Sequence, residues 1–298
     1  MGPGLVSGPS LGKSARGPVP GGPARRARAA SSQLVCRIRS GPCYSRAVDA
    51  DPFEPGPPPP PPGAAGLNAR AAAVIEVILC SGLPTQLALA GLLALAGVAP
   101  YGADGALSPA YVFALPLADA VVLVALVVWF LRLHGERFRD VMLGGRPILG
   151  EAAVGVLHVP LVFLLALGVT LAVRLLVPAL DDVAVNPLEA LTASPGQAAI
   201  FAAVAVIGGG VREEVQRAFI LHRFRHHLGG AGVGLILFSV VFGLGHSLQG
   251  TDVAVTTAAL GLFWGVVYLR RGSVAAPVVS HSGFNTAEIV RSALLGSV

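Results

Sequence analysis

Three cysteines in 298 residues, 12% charged side chains and 6% aromatics leave several protein classes without material. Cys36, Cys43 and Cys80 form no CxxC, so neither a zinc knuckle nor a disulfide framework is indicated. The 38 glycines follow no three-residue period, which excludes a collagen-like fibre. An average soluble domain carries about 25% charged residues, and this chain lacks the polar surface that such a share supplies. In its place stand 54% hydrophobic residues and a mean hydropathy of +0.72, which direct the chain to a bilayer.

The net charge of +5 is confined to the N-terminal tail. Residues 1–70 hold nine Lys/Arg against three acids, whereas residues 71–298 hold twelve Arg against thirteen acids. A basic tail ahead of apolar segments suits an anionic lipid surface. No helix-turn-helix or zinc pattern accompanies it, so no nucleic acid is expected as a partner. Residues 1–66 are rich in Gly, Pro, Ser and Arg and end in the run Pro57–Pro62, the composition of a disordered tail with a polyproline II spacer. The acid-free stretch Arg25–Arg46 also has transit-peptide composition, and a start codon placed too far upstream is a third reading. No apolar core with a small-residue cleavage site precedes residue 70, so a secretory signal is not expected.

From Ala71 onward, apolar stretches near the ~20 residues that cross a bilayer follow one another. Seven are predicted, at 71–99, 109–131, 150–176, 197–221, 230–248, 252–270 and 274–294, with Pro84 and Pro116 kinking the first two without ending them. Arg132, Arg137, Arg139 and Arg146 follow the second stretch, Arg223 and Arg225 the fourth, and Arg270 and Arg271 the sixth. The alternate loops hold no Lys or Arg but contain Asp104, Asp181, Asp182 and Glu189, with Asp252 beside the last. This alternation predicts a multi-pass integral membrane protein, all-α, with a cytoplasmic N-terminus and a C-terminus on the opposite side. The expected organisation is a tail at 1–66, N-terminal transmembrane helices at 67–196 and a helical catalytic core at 197–298.

An ionisable side chain inside hydrocarbon costs about 2.5–3.5 kcal/mol on insertion scales and so calls for a partner or a function. Asp119, Glu151, His158 and Arg174 stand near the ends of stretches, where snorkelling or the interface accommodates them. Glu76 is expected to reach the headgroups, and Glu288 and Arg291 to pair at i,i+3. The fourth stretch differs, because Gly208-Gly209-Gly210-Val211-Arg212-Glu213-Glu214-Val215-Gln216-Arg217 sets four charges in six residues. Either the spanning helix ends near Gly210, or these charges form a site. Glu213 and Arg217 stand at i,i+4 and Glu214 and Arg217 at i,i+3, so one carboxylate is expected to pair with the guanidinium and leave the other available. His246 follows Phe242 in the fifth stretch, and His281 and Asn285 share a helix face in the seventh. If the fourth and fifth stretches form a hairpin turning at Gly229-Gly230, Glu213 and His246 lie at similar depth and can face each other.

Phe242 with His246, and His281 with Asn285, resemble two ordered motifs of the CAAX protease and bacteriocin-processing (CPBP, or Abi) family of intramembrane endopeptidases. The resemblance covers about residues 195–290. The family's first motif, EExxxR, is altered here. With Arg217 as its arginine, Arg212 takes the first Glu position and Glu213 the second. Alternatively Glu213 and Glu214 are the pair and the arginine stands one place closer, which leaves Glu213 beside the Glu214–Arg217 pair and is the preferred reading. The first alignment permits an inactive relative, or a Glu214 that has taken over as base.

Peptide hydrolysis needs a base to activate water, donors for the oxyanion and an acid for the leaving amine. The resemblance implies Glu213 with His246 around the water, His281 and Asn285 as oxyanion donors, Glu214 as the other site carboxylate and Arg217 as its structural partner. It also implies lipidated CAAX proteins or membrane-associated peptide precursors as substrates. No cofactor is expected. The mechanistic alternative is zinc held by Glu213, His246 and His281, although no HExxH occurs. A catalytically inactive membrane scaffold and a transporter using the same charges are the functional alternatives.

Overall fold

Long runs of Leu, Ala and Val can hide their backbone polar groups from lipid only by bonding them within a helix. The computed structural model describes residues 64–103 and 105–295, and all of these fall in one unit, Asp51–Val298. The predicted tail through residue 63, with its polyproline run, and Asp104 lie outside the described residues. Among the described residues, regular structure is helical apart from one isolated bridge between Tyr101 and Leu107.

The helices are α1 (Ala64–Leu79), α2 (Leu83–Leu95), α3 (Pro109–Leu133), α4 (Phe138–Leu143) and α5 (Ile148–Leu176), followed by α6 (Pro195–Val204) and α7 (Glu213–His227). They are completed by α8 (Ala231–Leu244), α9 (Thr251–Arg271) and α10 (Ala275–Leu295). Ser108 and Ser194 cap α3 and α6 by accepting from the backbone N–H of Tyr111 and Gln197, each ahead of a proline that fixes the first turn. Among the described residues three helices, α3, α5 and α9, are long and apolar enough to cross a membrane, and α1 with α2 qualifies as a bent pair. Their outward surface suits lipid: Leu149, Val156, Leu157, Leu164 and Leu171 along α5 are all exposed.

Two of the apolar stretches are broken. The first ends as a helix at Leu79 and restarts at Leu83 with a 41° bend. Pro84 therefore does more than kink it. Gly82, at φ 87°, takes the left-handed turn, and Pro84 fits the new first turn, where no N–H is needed. The fourth stretch runs from Pro195 to His227, but Ala205–Arg212 is wound as a π-helix between α6 and α7. This π segment packs against α3 on one side and α10 on the other, and α10 and α9 both lie on α5. α7 and α8 turn at Gly229 and Gly230, both at positive φ, and α8 returns against α9.

Several intramembrane charges depart from the expectation of snorkelling. Glu76 is buried and accepts from Arg223 Nε at 2.6 Å, with His134 at 2.6 Å, instead of reaching headgroups. Glu151 is buried and takes both Nε and Nη2 of Arg271, at 2.5 and 2.9 Å. Asp119 is wholly buried against Arg212. Arg174, half-exposed, pairs with Asp252 at 2.8 Å, and His158 stands edge-on to Phe263. An interhelical partner is worth more to a charge in hydrocarbon than a stretched stem, and each of these has one within reach except His158. Glu288 and Arg291 do pair at i,i+3.

Candidate active site

The glycine triplet Gly208–Gly210 fixes where the site forms. A Cβ on Gly210 would stand 1.9 Å from Ser282 Oγ, one on Gly209 2.6 Å from Asn285 Nδ2, and one on Gly208 3.1 Å from Pro116 Cβ. Three bare backbone positions thus let α10 and α3 close on the π segment. π-turns recur at functional sites because they re-aim the side chains that follow. Here the segment ends on Arg212, and the residues that follow are Glu213 and Glu214.

Glu214 is buried and binds two partners. Arg217 Nη1 donates to its Oε1, and His281 Nδ1 lies 2.8 Å from the same oxygen. A carboxylate engaged by a guanidinium can only accept, so Nδ1 carries a hydrogen and Nε2 is the ring nitrogen left for another partner. Nε2 faces Glu213, whose Oε2 stands 3.8 Å away. The imidazole is also held flat on the Trp264 indole, at 3.8 Å and 16°, while Trp264 Nε1 donates to Ser280 Oγ at 3.1 Å. Arg217 is wholly buried, with its guanidinium 4.8 Å from the Phe242 ring centre and 5.3 Å from that of Phe238. Glu213 is partly exposed, at 16% of its side chain, and is the carboxylate of the pair that solvent or substrate can reach.

Asn285 lies one turn beyond His281 with Nδ2 against Gly209, so it joins the same face. His246 is less closely tied. α8 ends at Leu244, and the imidazole stands just past it in the turn before a short 3-10 helix, instead of deep within a helix. The cause is local, since Gly243 and Gly245 end the run and His246 Nδ1 turns back to the Phe242 carbonyl at 2.9 Å. His246 and His281 meet through Phe242, whose ring centre is 4.9 and 6.2 Å from theirs. Among the described residues no three His, Cys, Asp or Glu stand where they could hold a metal ion, and the set Glu213, His246 and His281 does not converge as one.

The sequence reading gave Asp119 no place beyond the interface and gave Trp264 none. Trp264, one of two tryptophans, lies on a helix predicted to cross the membrane and gives no sign in sequence of facing His281. The only advance signal for Asp119 was an acid and an Arg212 that both lacked partners in apolar surroundings.

The far end of α7 is tied down separately. Arg223 bridges Glu76 and Glu136, and His222 lies 2.5 Å from Glu136. Burial pushes the Glu136 carboxyl up, but His222 and Arg223 outweigh it and hold the group at about 2.

Residues 195–287 match the family described as type II CAAX prenyl endopeptidase Rce1-like. The matched segment opens at the first residue of α6 and closes within α10, so it holds Glu213, Glu214, Arg217, His246, His281 and Asn285. It is consistent with the CPBP resemblance and supports an intramembrane protease of the CAAX kind. The Rce1-like segment is well under half of the chain, and α1 to α5 lie outside it. Neither the curated proteins nor the solved structures gave a match.

Proposed function

We propose that the protein is an intramembrane endopeptidase that hydrolyses peptide bonds of membrane-associated CAAX-type or peptide-precursor substrates with a water held by Glu213 and His281. The observation that carries this reading is the imidazole of His281 set between two carboxylates of different standing. Glu214, closed off by Arg217, orients the ring, and Glu213, open on one side, faces its free nitrogen. A water about 2.8 Å from both Nε2 and Oε2 fits across their 3.8 Å separation, with an angle of about 85° at its oxygen.

The steps follow from these positions. Glu213 takes a proton as the water oxygen adds to the scissile carbonyl carbon. His281 holds the water through Nε2, and Glu214, bonded to Nδ1, keeps the ring in that orientation, as a carboxylate does in other imidazole-based hydrolases. With His281 at the water, Asn285 on the same helix face and His246 beside Phe242 are the side chains left to donate to the oxyanion. The proton on Glu213 then passes to the amine nitrogen as the C–N bond breaks. Each of these groups belongs to the protein, and no step is routed through a metal.

The chain is further read as crossing the membrane seven times with its N-terminus cytoplasmic. Contacts gather the basic segments 134–147, 222–227 and 270–274 near one another: Glu136 with Arg223, Arg146 with Glu151, Glu151 with Arg271, and Val274 N–H with the Met142 carbonyl. Asp181, Asp182 and Asp252 gather separately around Arg174 and Thr251.

Purified protein in detergent, given a prenylated CAAX peptide, is expected to cleave it. Glu213→Gln and His281→Ala should each lower the rate by about 10²–10⁴-fold with the fold retained, the range for losing a general base. Activity should survive strong chelators. Loss on chelation that zinc restores would overturn the metal-free reading, and no cleavage of any such peptide would overturn the assignment.

A further inference from the structure

Arg212 stands where the resemblance puts a glutamate in one alignment, and a cation beside a general base weakens that base. Its surroundings answer the difficulty. Arg212 is buried, with Nη1 3.7 Å from Glu213 Oε1 and Nη2 on Asp119 Oδ2. Asp119, on α3, is wholly buried and further held by Thr85 Oγ1 at 2.5 Å and Gln86 Nε2 at 3.2 Å. Both donors come from the first turn of α2, just past the bend at Gly82. Gly82 itself allows the guanidinium in, since a Cβ there would stand 2.4 Å from Arg212 Nη2.

We infer that Asp119 is a positioning residue for the catalytic base: it holds Arg212 and neutralises its charge, so that Arg212 fixes the Glu213 carboxylate in place without taking it as its own ion-pair partner. The inference deepens the proposed hydrolytic reading and rests on it. On the helix of Glu213, Glu214 is paired with Arg217, and Arg223 is engaged far away by Glu76 of α1 and by Glu136. The π segment brings Arg212, α3 brings Asp119, α10 brings His281, and His246 stands across Phe242. With Arg212 bound more closely by Asp119 and Arg217 by Glu214, Glu213 shares Arg212 at 3.7 Å and has no cation to itself. The residues that complete this arrangement, Asp119, Thr85 and Gln86, lie outside the segment 195–287. The altered first motif is therefore compensated from the other half of the chain.

The test is the pH profile of kcat for prenylated-peptide cleavage in wild type, Asp119→Asn, Asp119→Glu and the double variant Arg212→Gln/Asp119→Asn, with thermal unfolding run on each. Asp119→Asn frees the full charge of Arg212 toward Glu213. The acidic limb should then move down by about one pH unit or more, as an opposite charge at this range does to a carboxyl, and the plateau should fall by about 10–100-fold. Asp119→Glu keeps the charge and should keep the wild-type limb. The double variant restores the local net charge, so its limb should return to the wild-type position and at least tenfold of the lost rate should return. A wild-type limb in Asp119→Asn, or a double variant no better than the single one, overturns the inference, since a merely structural role would lower the plateau without moving the limb. If Asp119→Asn fails to fold, the double variant and Asp119→Glu decide, and a displaced limb in either overturns it. The infrared carboxyl band that Glu213→Gln abolishes gives a second readout independent of cleavage. Its titration should shift down in Asp119→Asn, and an unmoved band overturns the inference even where wild type cleaves nothing, the outcome that would remove the protease reading instead.

Discussion

His281, Glu213 and Glu214 were each visible as residues out of place in an apolar chain, and their spacing already suggested that one carboxylate would go to Arg217. What spacing does not contain is the third dimension of that pairing. Nothing in the order of residues links position 119 to 212, or 76 to 223, because long-range partners obey depth in the bundle and not periodicity. Glu76 and Glu151 were read one helix at a time, and so their partners Arg223 and Arg271 were missed. Glu136 gives a residue-scale prediction from the same class of contact. Its carboxyl is held at about 2, below its unfolded 4.5, so the stability it contributes is present above 4.5 and is lost as pH falls through about 2. Glu136→Gln should therefore lower the unfolding temperature at pH 7, with a gap from wild type that closes progressively below pH 4.5. A gap that stays constant down to pH 2.5 would show that the carboxylate charge contributes nothing there.

At the scale of elements, apolar runs located the helices well because hydrocarbon allows them few alternatives. The breaks were harder to place. Pro84 and the triplet Gly208–Gly210 were legible as irregularities, but a π-turn and a 41° bend depend on what packs against them. Glycines at helix crossings carry much of that packing, since in lipid close backbone approach replaces the hydrophobic drive. Gly243 on α8 is the sharpest case, for its added Cβ would stand 2.4 Å from the Ala254 carbonyl oxygen and 2.7 Å from Ala258 Cβ on α9. Backbone cannot turn aside as a side chain does. Gly243→Ala should cost about 1–3 kcal/mol in detergent unfolding, the usual range for overpacking. Gly91→Ala on α2 meets nothing within 4 Å and should be neutral or stabilising by up to about 1 kcal/mol. Equal effects at the two positions would contradict the packing of α8 on α9.

For the whole molecule, charge placement and fold describe one object. Arg146, Arg223 and Arg271 meet Glu136 and Glu151 in one set of contacts and Asp181, Asp182 and Asp252 gather around Arg174 and Thr251 in another, with Glu213 about 14 Å along α7 from His222 at 1.5 Å per residue. Labelling of single cysteines in vesicles should place Arg225→Cys on the cytoplasmic face and Asp182→Cys on the opposite one, and labelling of both from one side would break the proposed topology. The central claim, a water held by Glu213 and His281, is tested most directly by a single turnover of prenylated peptide in ¹⁸O water, with product and protein both read by mass spectrometry. The label should appear in the new carboxyl terminus of the peptide, with none in the Glu213 side chain, and the turnover should vanish in His281→Ala. Label found first in Glu213, or full turnover without His281, would contradict the account.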